Sequence, residues 1–146
     1  MKEEFIKSIN EGYSCKGKSI ILGGPVFDGE SASGIQVKIP LSTLNRHGLV
    51  AGATGTGKTK TLQVIAESLS DQGISCLMMD IKGDLSGLAA PGEPNNKISE
   101  RHARIGNTWE PSAFPVELLT ISDEKGTRLR ATVIEFGPVL LSLIHI

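Results

Sequence analysis

The stretch that decides the fold is Gly52-Ala53-Thr54-Gly55-Thr56-Gly57-Lys58-Thr59. It fits the pattern G-x-x-x-x-G-K-[ST], which is typical of a phosphate-binding loop, or P-loop. The apolar run Gly48-Leu49-Val50-Ala51 precedes it, and an amphipathic helical pattern follows it. This order matters because a phosphate cradle needs a strand before the loop and a helix N-terminus after it. The sequence therefore predicts that this stretch binds a nucleoside triphosphate.

The residue types in this stretch fit that chemistry. Gly52, Gly55 and Gly57 allow a positive φ and let the backbone approach an anion without a Cβ atom in the way. Successive N–H groups form an anion nest, and the helix that follows adds the positive end of its dipole. We expect Lys58 to reach the β- and γ-phosphates and the Thr59 hydroxyl to ligate a Mg²⁺ that bridges them. The residues predicted to bind nucleotide are Gly52, Ala53, Thr54, Gly55, Thr56, Gly57, Lys58, Thr59 and Lys60.

Composition excludes several function classes. A length of 146 residues suits one domain or a piece of a larger one. The net charge of −1 gives no global basic field that would recruit nucleic acid. No apolar run approaches the roughly 20 residues of a membrane span, and the N-terminus lacks the apolar core of a signal peptide. Cys15 and Cys76 fit no metal-binding spacing, and Cys76 is predicted to be a buried hydrophobic residue. A reducing, cytoplasmic location with no membrane partner follows.

The first 43 residues are predicted to form a small β-containing lead-in. Residues 1–12 have the pattern of a short amphipathic helix. Residues 19–24 and 34–40 have the pattern of strands, and residues 28–33 between them are predicted to be a loop.

The segment after residue 59 has the pattern of a helix followed by a buried strand. Gly73 is placed to end the helix, and residues 74–79 have the pattern of the strand. Together with the strand before residue 52 this makes a βαβ unit with parallel strands, the start of an α/β P-loop core. The predicted apolar face of the helix consists of Leu62, Ile65, Ala66 and Leu69.

Asp80 is the second candidate for a catalytic residue, after Lys58. It follows the predicted strand at the edge of the sheet where ligands bind in open α/β folds. One interpretation is a Mg²⁺ ligand that acts through water, as a Walker B aspartate does. The other is a loop cap or a partner for Lys82. The Walker B strand of RecA-like ATPases usually comes one βα unit later, which counts against the first interpretation.

Other polar residues have both a functional and a structural interpretation. Lys82 and Asp84 either contact nucleotide, a neighbouring subunit or nucleic acid, or form a solvated ion pair of little energetic value. Arg46 and His47 have either a functional role near the nucleotide or a structural hydrogen bond, and the hydrogen bond is the better explanation. Arg128 and Arg130 form either a phosphate-contacting patch or a solvated sheet face, and the sheet face is the better explanation.

Residues 99–105 are predicted to form a short helix that Gly106 ends, with Arg101, His102 and Arg104 on a solvated face. Trp109 is predicted to pack.

A β-hairpin is predicted near the C-terminus. Residues 116–121 and 128–134 have the pattern of paired strands, and residues 122–127 form the turn. Gly126 supplies the positive φ that such a turn needs. Another apolar segment begins with residues 136–138.

Three stretches carry a family resemblance: Leu44 to Thr59 with Arg46-His47 ahead of the loop, Met79 to Ala89 with Asp80-Ile81-Lys82-Gly83-Asp84, and Arg128-Leu129-Arg130-Ala131-Thr132-Val133. Over residues 12–142 the chain resembles the HerA-like helicase family within the HerA/FtsK superfamily of P-loop ATPases. It is most similar to bacterial proteins with a helicase HerA-like C-terminal domain. The resemblance implies a RecA-like fold, ATP and Mg²⁺ as cofactors, and ATP hydrolysis that drives movement on DNA. It also implies a homo-oligomer, typically a hexameric ring.

The chain departs from this family in one respect. No apolar strand that ends in Asp-Glu follows residue 84, although such ATPases need a carboxylate that positions the attacking water. We therefore expect residues 44–146 to be a partial P-loop ATPase domain, truncated before the Walker B strand. The tail Leu143-Ile144-His145-Ile146 does not resemble the family's continuation. On this view the chain alone hydrolyses ATP poorly.

Two alternatives to the translocase remain open. One is a P-loop kinase or GTPase with Asp80 as the metal-binding aspartate, although the guanine-reading Asn-Lys-x-Asp is absent from the sequence. The other is a nucleotide-binding or assembly module that does not hydrolyse.

Overall fold

A computed structural model describes residues 1–80 and 82–130 of the chain. The chain divides into two compact units, Met1–Pro115 and Val116–Ile146. The predicted α/β class is confirmed at this coarse level, because helices and small sheets alternate along the chain. The helices are α1 (Lys2–Gly12), α2 (Lys58–Asp71) and α3 (Asn96–Arg104), with 3₁₀ turns at Leu41–Thr43 and Ser86–Ala89. The strands are β1 (Ser19–Gly23), β2 (Val26–Phe27), β3 (Glu30–Ser31), β4 (Val37–Pro40), β5 (Leu119–Thr120) and β6 (Thr127–Arg128).

The N-terminal lead-in has the helix and the two strands that its pattern predicts. Strands β1 and β4 pair antiparallel, with Ile20 opposite Ile39. Ile20 is 2% exposed and lies at the centre of the small apolar core. Helix α1 contributes Phe5, whose ring centroid lies 5.1 Å from that of Phe27. The lead-in is therefore stabilised by local apolar packing.

A short hairpin occupies part of the predicted loop at residues 28–33. Strands β2 and β3 pair antiparallel around Asp28 and Gly29, whose φ angles are 49° and 81°. Positive φ at both central residues is what a two-residue type I′ turn requires, and Asp-Gly is a strong sequence signal for it. The loop prediction is therefore wrong for Glu30 and Ser31.

Helix α2 follows residues 52–57 as predicted, and it packs against β1. It ends at Gly73, which has a φ of 73°. The N–H of Gly73 donates to the carbonyl of Ser70 at 2.8 Å, and the N–H of Ile74 donates to the carbonyl of Leu69 at 2.9 Å. These two bonds form a Schellman motif, so the predicted C-terminal glycine cap is confirmed.

The predicted strands on either side of α2 are wrong. Residues 48–51 and 74–79 are irregular, and they belong to none of the sheets among the described residues. Leu49 is 90% exposed and Leu77 is 84% exposed, so neither side chain is in a core. A strand needs a neighbour for its backbone N–H and C=O groups, and no described segment provides one. The predicted parallel βαβ unit is therefore absent from the described part of the chain.

Helix α3 begins three residues before the predicted start at residue 99. The earlier start is explained by Asn95, whose side-chain oxygen accepts a hydrogen bond from the N–H of Lys97 at 2.9 Å. Gly106 follows the helix with a φ of 70°, as expected for its predicted role. None of the described helices has the length and apolarity needed to cross a bilayer.

The second unit contains a parallel pair of strands where a hairpin was predicted. The N–H groups of Thr127 and Leu129 donate to the carbonyls of Leu118 and Thr120 at 2.7 and 2.8 Å. These bonds align β5 and β6 in the same direction, so the antiparallel prediction is wrong. Gly126 has a positive φ of 148°, as predicted. Residues 131–134 of the predicted second strand, and the apolar segment from residue 136, lie outside the described residues.

We expect Gly24→Ala to destabilise the first unit, because Gly24 packs directly against Ile105. A Cβ atom at Gly24 would lie 2.5 Å from Ile105 Cγ2, and overpacking of this kind costs about 1–3 kcal/mol. Urea unfolding measures the loss. Gly23→Ala is the matched control, since its Cβ would meet no atom within 4 Å. The cost should shrink in an Ile105→Ala background, and an equal cost in both backgrounds would contradict this packing.

Candidate functional site

Residues 52–59 are called the 52–59 loop. They comprise the turn before α2 and the first two residues of this helix, Lys58 and Thr59. Gly55 and Gly57 have φ angles of 83° and 91°, in the left-handed region that favours glycine. Gly57 is the N-cap, and no side chain within the described residues caps the helix. The N–H groups of the first turn therefore have no partner of this kind, and they are oriented to receive an anion.

Gly52 has a different role from the other two glycines of the loop. It does not have a positive φ, so that part of the prediction is wrong. A Cβ atom here would lie 2.5 Å from Thr56 Oγ1. The Thr56 hydroxyl donates to the carbonyl of Ala53 at 2.8 Å and holds the loop in a tight turn. Gly52 is therefore needed for space rather than for backbone conformation.

Lys58 reaches back over the 52–59 loop. Its Nζ donates a hydrogen bond to the carbonyl of Ala53 at 2.8 Å. An ammonium group has three donors, so two remain for other acceptors. Lys58 and Thr59 are half-buried at the first turn of α2, whereas Thr54 and Lys60 are exposed. The structure thus places the Lys58 ammonium against the backbone of the loop and leaves Lys60 at the surface.

Asp80 caps its own loop. Its Oδ1 accepts hydrogen bonds from the N–H groups of Lys82 at 3.1 Å and Gly83 at 2.9 Å, and its Oδ2 accepts one from Leu85 at 2.7 Å. These bonds, that from Leu85 above all, hold the pKa of the Asp80 carboxyl below its usual range. The structure therefore supports the loop-cap interpretation of Asp80.

Gln63 connects α2 to Asp80 and residues 82–85, which are called the 80–85 loop below and do not include residue 81. Its side chain is buried, and its Nε2 donates to the carbonyl of Asp84 at 3.0 Å. Gln63 does not follow from the apolar pattern of α2, which predicts that Leu62 is buried, whereas Leu62 is exposed. The sequence contains one indication of its role, since Gln63 lies four residues after Thr59 and this spacing places the two residues on one face of the helix.

Glu67 lies on α2 four residues beyond Gln63. Partial burial raises the pKa of its carboxyl, the positive charge of Lys60 opposes this effect, and the negative charge of Asp71 adds to it. Glu67 is thus a second carboxylate whose pKa is changed by its environment. Its pKa is raised, whereas that of Asp80 is lowered.

The remaining predicted candidates do not gather at the 52–59 loop by any contact within the described residues. Trp109 packs on Gly92, as predicted. Arg128 forms an exposed ion pair with Asp123 at 3.3 Å. Cys76 is an exposed free thiol, so its predicted burial is wrong. Exposed side chains also include Arg46, His47, Lys82, Asp84, Arg101, Arg104 and Arg130.

Metal-binding clusters are absent from the part of the chain that the structure describes. It contains no group of three or more His, Cys, Asp or Glu side chains placed to hold an ion.

Two comparisons with known proteins point to one family. The profile of the family described as "Helicase HerA-like C-terminal" matches residues 27–145. A protein from Sulfolobus acidocaldarius named "DNA double-strand break repair helicase HerA" is 38% identical over 52 residues. That stretch is 36% of this chain and 10% of the relative, so the match spans about a tenth of the relative's length. No solved structure matches the chain.

We predict that Asp80 titrates below an ordinary aspartate and Glu67 above an ordinary glutamate, measured by carboxyl ¹³C NMR. Because the pKa of Asp80 is lower in the folded state, the stability it contributes is present above the unfolded pKa of about 3.9. This stability is lost as the pH falls through the folded pKa. Asp80→Asn should therefore lower the urea midpoint at pH 6, and the difference should narrow below pH 4.

Asp84→Asn is the matched control at pH 6. It lies in the same loop, but its carboxylate accepts none of the three bonds to Asp80. An Asp80 pKa at or above the ordinary value would contradict the loop cap.

Proposed function

Because the chain belongs to the helicase HerA-like C-terminal family, we propose that it is the nucleotide-binding part of an ATP-driven DNA translocase or helicase. The family match includes the whole 52–59 loop and the 80–85 loop. The relative from Sulfolobus acidocaldarius is named as a DNA repair helicase, which supports ATP and DNA as partners. The proposal extends to a homo-oligomeric ring, in the cytoplasm, for the whole protein of which residues 44–146 form part of the ATPase domain.

One observation carries this proposal, namely the junction of the 52–59 loop with α2. Gly57, at a φ of 91°, turns the chain into a helix whose first N–H groups receive no side-chain cap from the residues that the structure describes. Such a terminus stabilises phosphate oxygens through N–H donors and through the helix dipole. Lys58 already lies over the loop, with its ammonium on the carbonyl of Ala53. To bind the β- and γ-phosphates, the Lys58 ammonium would donate to phosphate oxygens, either in place of this carbonyl or in addition to it.

The residues present also fit a Mg²⁺ that arrives with the nucleotide. When bound, the ion would neutralise negative charge on the phosphate oxygens. Thr59 would hold it through its hydroxyl, since it is the second residue of α2. Lys58 would stabilise negative charge on the γ-phosphate during hydrolysis. We assign Asp80 a supporting role, because its carboxylate already accepts three N–H groups of its own loop.

The engaged carboxylate of Asp80 favours a second candidate function. A metal-binding aspartate in a kinase or GTPase must coordinate the ion through its oxygens. The oxygens of Asp80 already accept three hydrogen bonds from N–H groups of the 80–85 loop. The same bonds leave Asp80 poorly placed to activate water. The rival that this observation supports is a module that binds nucleotide without hydrolysing it.

We expect Lys58→Ala to weaken ATP binding by about 100-fold or more, because removal of a charged partner from a phosphate contact costs several kcal/mol. Isothermal titration calorimetry on the chain measures this loss. Lys97→Ala, on the exposed surface of α3, is the matched control and should bind as the wild type does. Unchanged ATP affinity of Lys58→Ala would refute the assignment of the 52–59 loop.

We expect DNA to stimulate ATP hydrolysis in the longest protein that the reading frame encodes, because a translocase couples turnover to its track. Steady-state phosphate release with and without duplex DNA measures this effect, and Lys58→Ala should abolish it. ATP binding without DNA-stimulated hydrolysis would support the non-hydrolysing module and contradict the translocase.

A further inference from the structure

Gln63 is the buried polar residue of α2, and the proposed nucleotide contacts do not use it. Its side chain is 6% exposed, although its neighbours Leu62 and Val64 are 42% and 37% exposed. A buried amide is costly unless it has hydrogen-bond partners. Gln63 has such a partner, the carbonyl of Asp84, 21 residues along the chain. The burial of Gln63 therefore reflects a specific contact between α2 and the 80–85 loop.

The position of Gln63 places this contact on the face of α2 that carries Thr59. Thr59 and Gln63 are four residues apart in α2, so their side chains lie on the same face. The rise of a helix separates them by about 6 Å along its axis. The 80–85 loop is thus anchored one turn beyond the hydroxyl that we propose for the magnesium ion.

The 80–85 loop is held together internally by Asp80. Three N–H groups, those of Lys82, Gly83 and Leu85, converge on its carboxylate. Because these bonds tie Lys82, Gly83 and Leu85 to one side chain, and Asp84 lies between Gly83 and Leu85, a displacement of Asp84 would be transmitted to these neighbours. The bond from Gln63 to Asp84 therefore bears on the position of residues 82–85.

We propose that Gln63 is a positioning residue, which holds the 80–85 loop on the Thr59 face of α2 and couples this loop to nucleotide bound at the 52–59 loop. The coupling rests on the proposed function, since it requires nucleotide at the N-terminus of α2. Nucleotide that orders the N-terminus of α2 also orders the next turn of the helix, which carries Gln63. Through the amide of Gln63, the 80–85 loop is then protected from hydrogen exchange.

The first part of the test is the anchoring itself, in nucleotide-free protein. Gln63→Glu keeps the side-chain length but replaces the Nε2 donor with an oxygen that repels the carbonyl of Asp84. Hydrogen exchange at the amides of Lys82, Gly83 and Leu85 should become about three- to tenfold faster, as expected for the loss of one hydrogen bond. Exchange within α2 should not change. Unchanged loop exchange would overturn the proposal.

Two further variants keep this result interpretable. Gln72→Glu makes the same substitution at the exposed C-cap of α2, and it should leave loop exchange at the wild-type rate. Gln63→Leu removes the donor without adding a charge, and it replaces Gln63→Glu if the latter does not fold. Loop exchange that also accelerates in Gln72→Glu would contradict a specific role for Gln63.

The second part of the test is the coupling. Saturating Mg·ADP should slow exchange of the same three loop amides in the wild type by at least about threefold. In Gln63→Glu the protein should still bind Mg·ADP, but the loop should not respond. A purely structural role would leave this response intact. A full response in the variant would overturn this inference alone, whereas a wild type that does not bind Mg·ADP would contradict the proposed function and the coupling together.

Discussion

The start of α2 at Gly57 is the constraint on which the candidate site depends. A left-handed residue at this point suits glycine alone without strain, and it sets the direction in which the 52–59 loop enters the helix. It also sets the register, since Lys58 becomes the first helical residue and Thr59 the second. A shift of one residue would rotate every side chain by about 100°. Gln63 would then no longer meet the carbonyl of Asp84.

Hydrogen-bond satisfaction explains more of this structure than apolar burial does. Gln63 is buried and its amide has a partner, while Leu49 and Leu77 are exposed in segments that pair with no strand among the described residues. Asp80 follows the same rule as a hydrogen-bond acceptor. Its carboxylate gathers N–H groups that a sheet or helix would otherwise use. The loops on both sides of α2 are therefore shaped by local polar contacts.

The sequence predicted those features whose causes are local. The end of α2 at Gly73 depends on bonds within six residues, and it could be predicted from a glycine after an apolar period. The predicted strands at residues 48–51 and 74–79 would need partners far along the chain, and apolar pattern alone does not show whether such partners exist. The contact of Gln63 is likewise non-local. The hairpin at Asp28-Gly29 is different, because the Asp-Gly signal for it is local and present in the sequence.

The two interpretations of Asp80 compete for the same oxygens. A carboxylate that accepts three N–H bonds keeps its negative charge and a lowered pKa, and about one of its roughly four lone-pair sites remains free. A metal ion bound at Oδ1 would displace the bond from Lys82 or Gly83, and the loop would then lose part of its internal support. These bonds favour a role of the loop through its position, and the bond from Gln63 to the carbonyl of Asp84 is the described contact that supports this position.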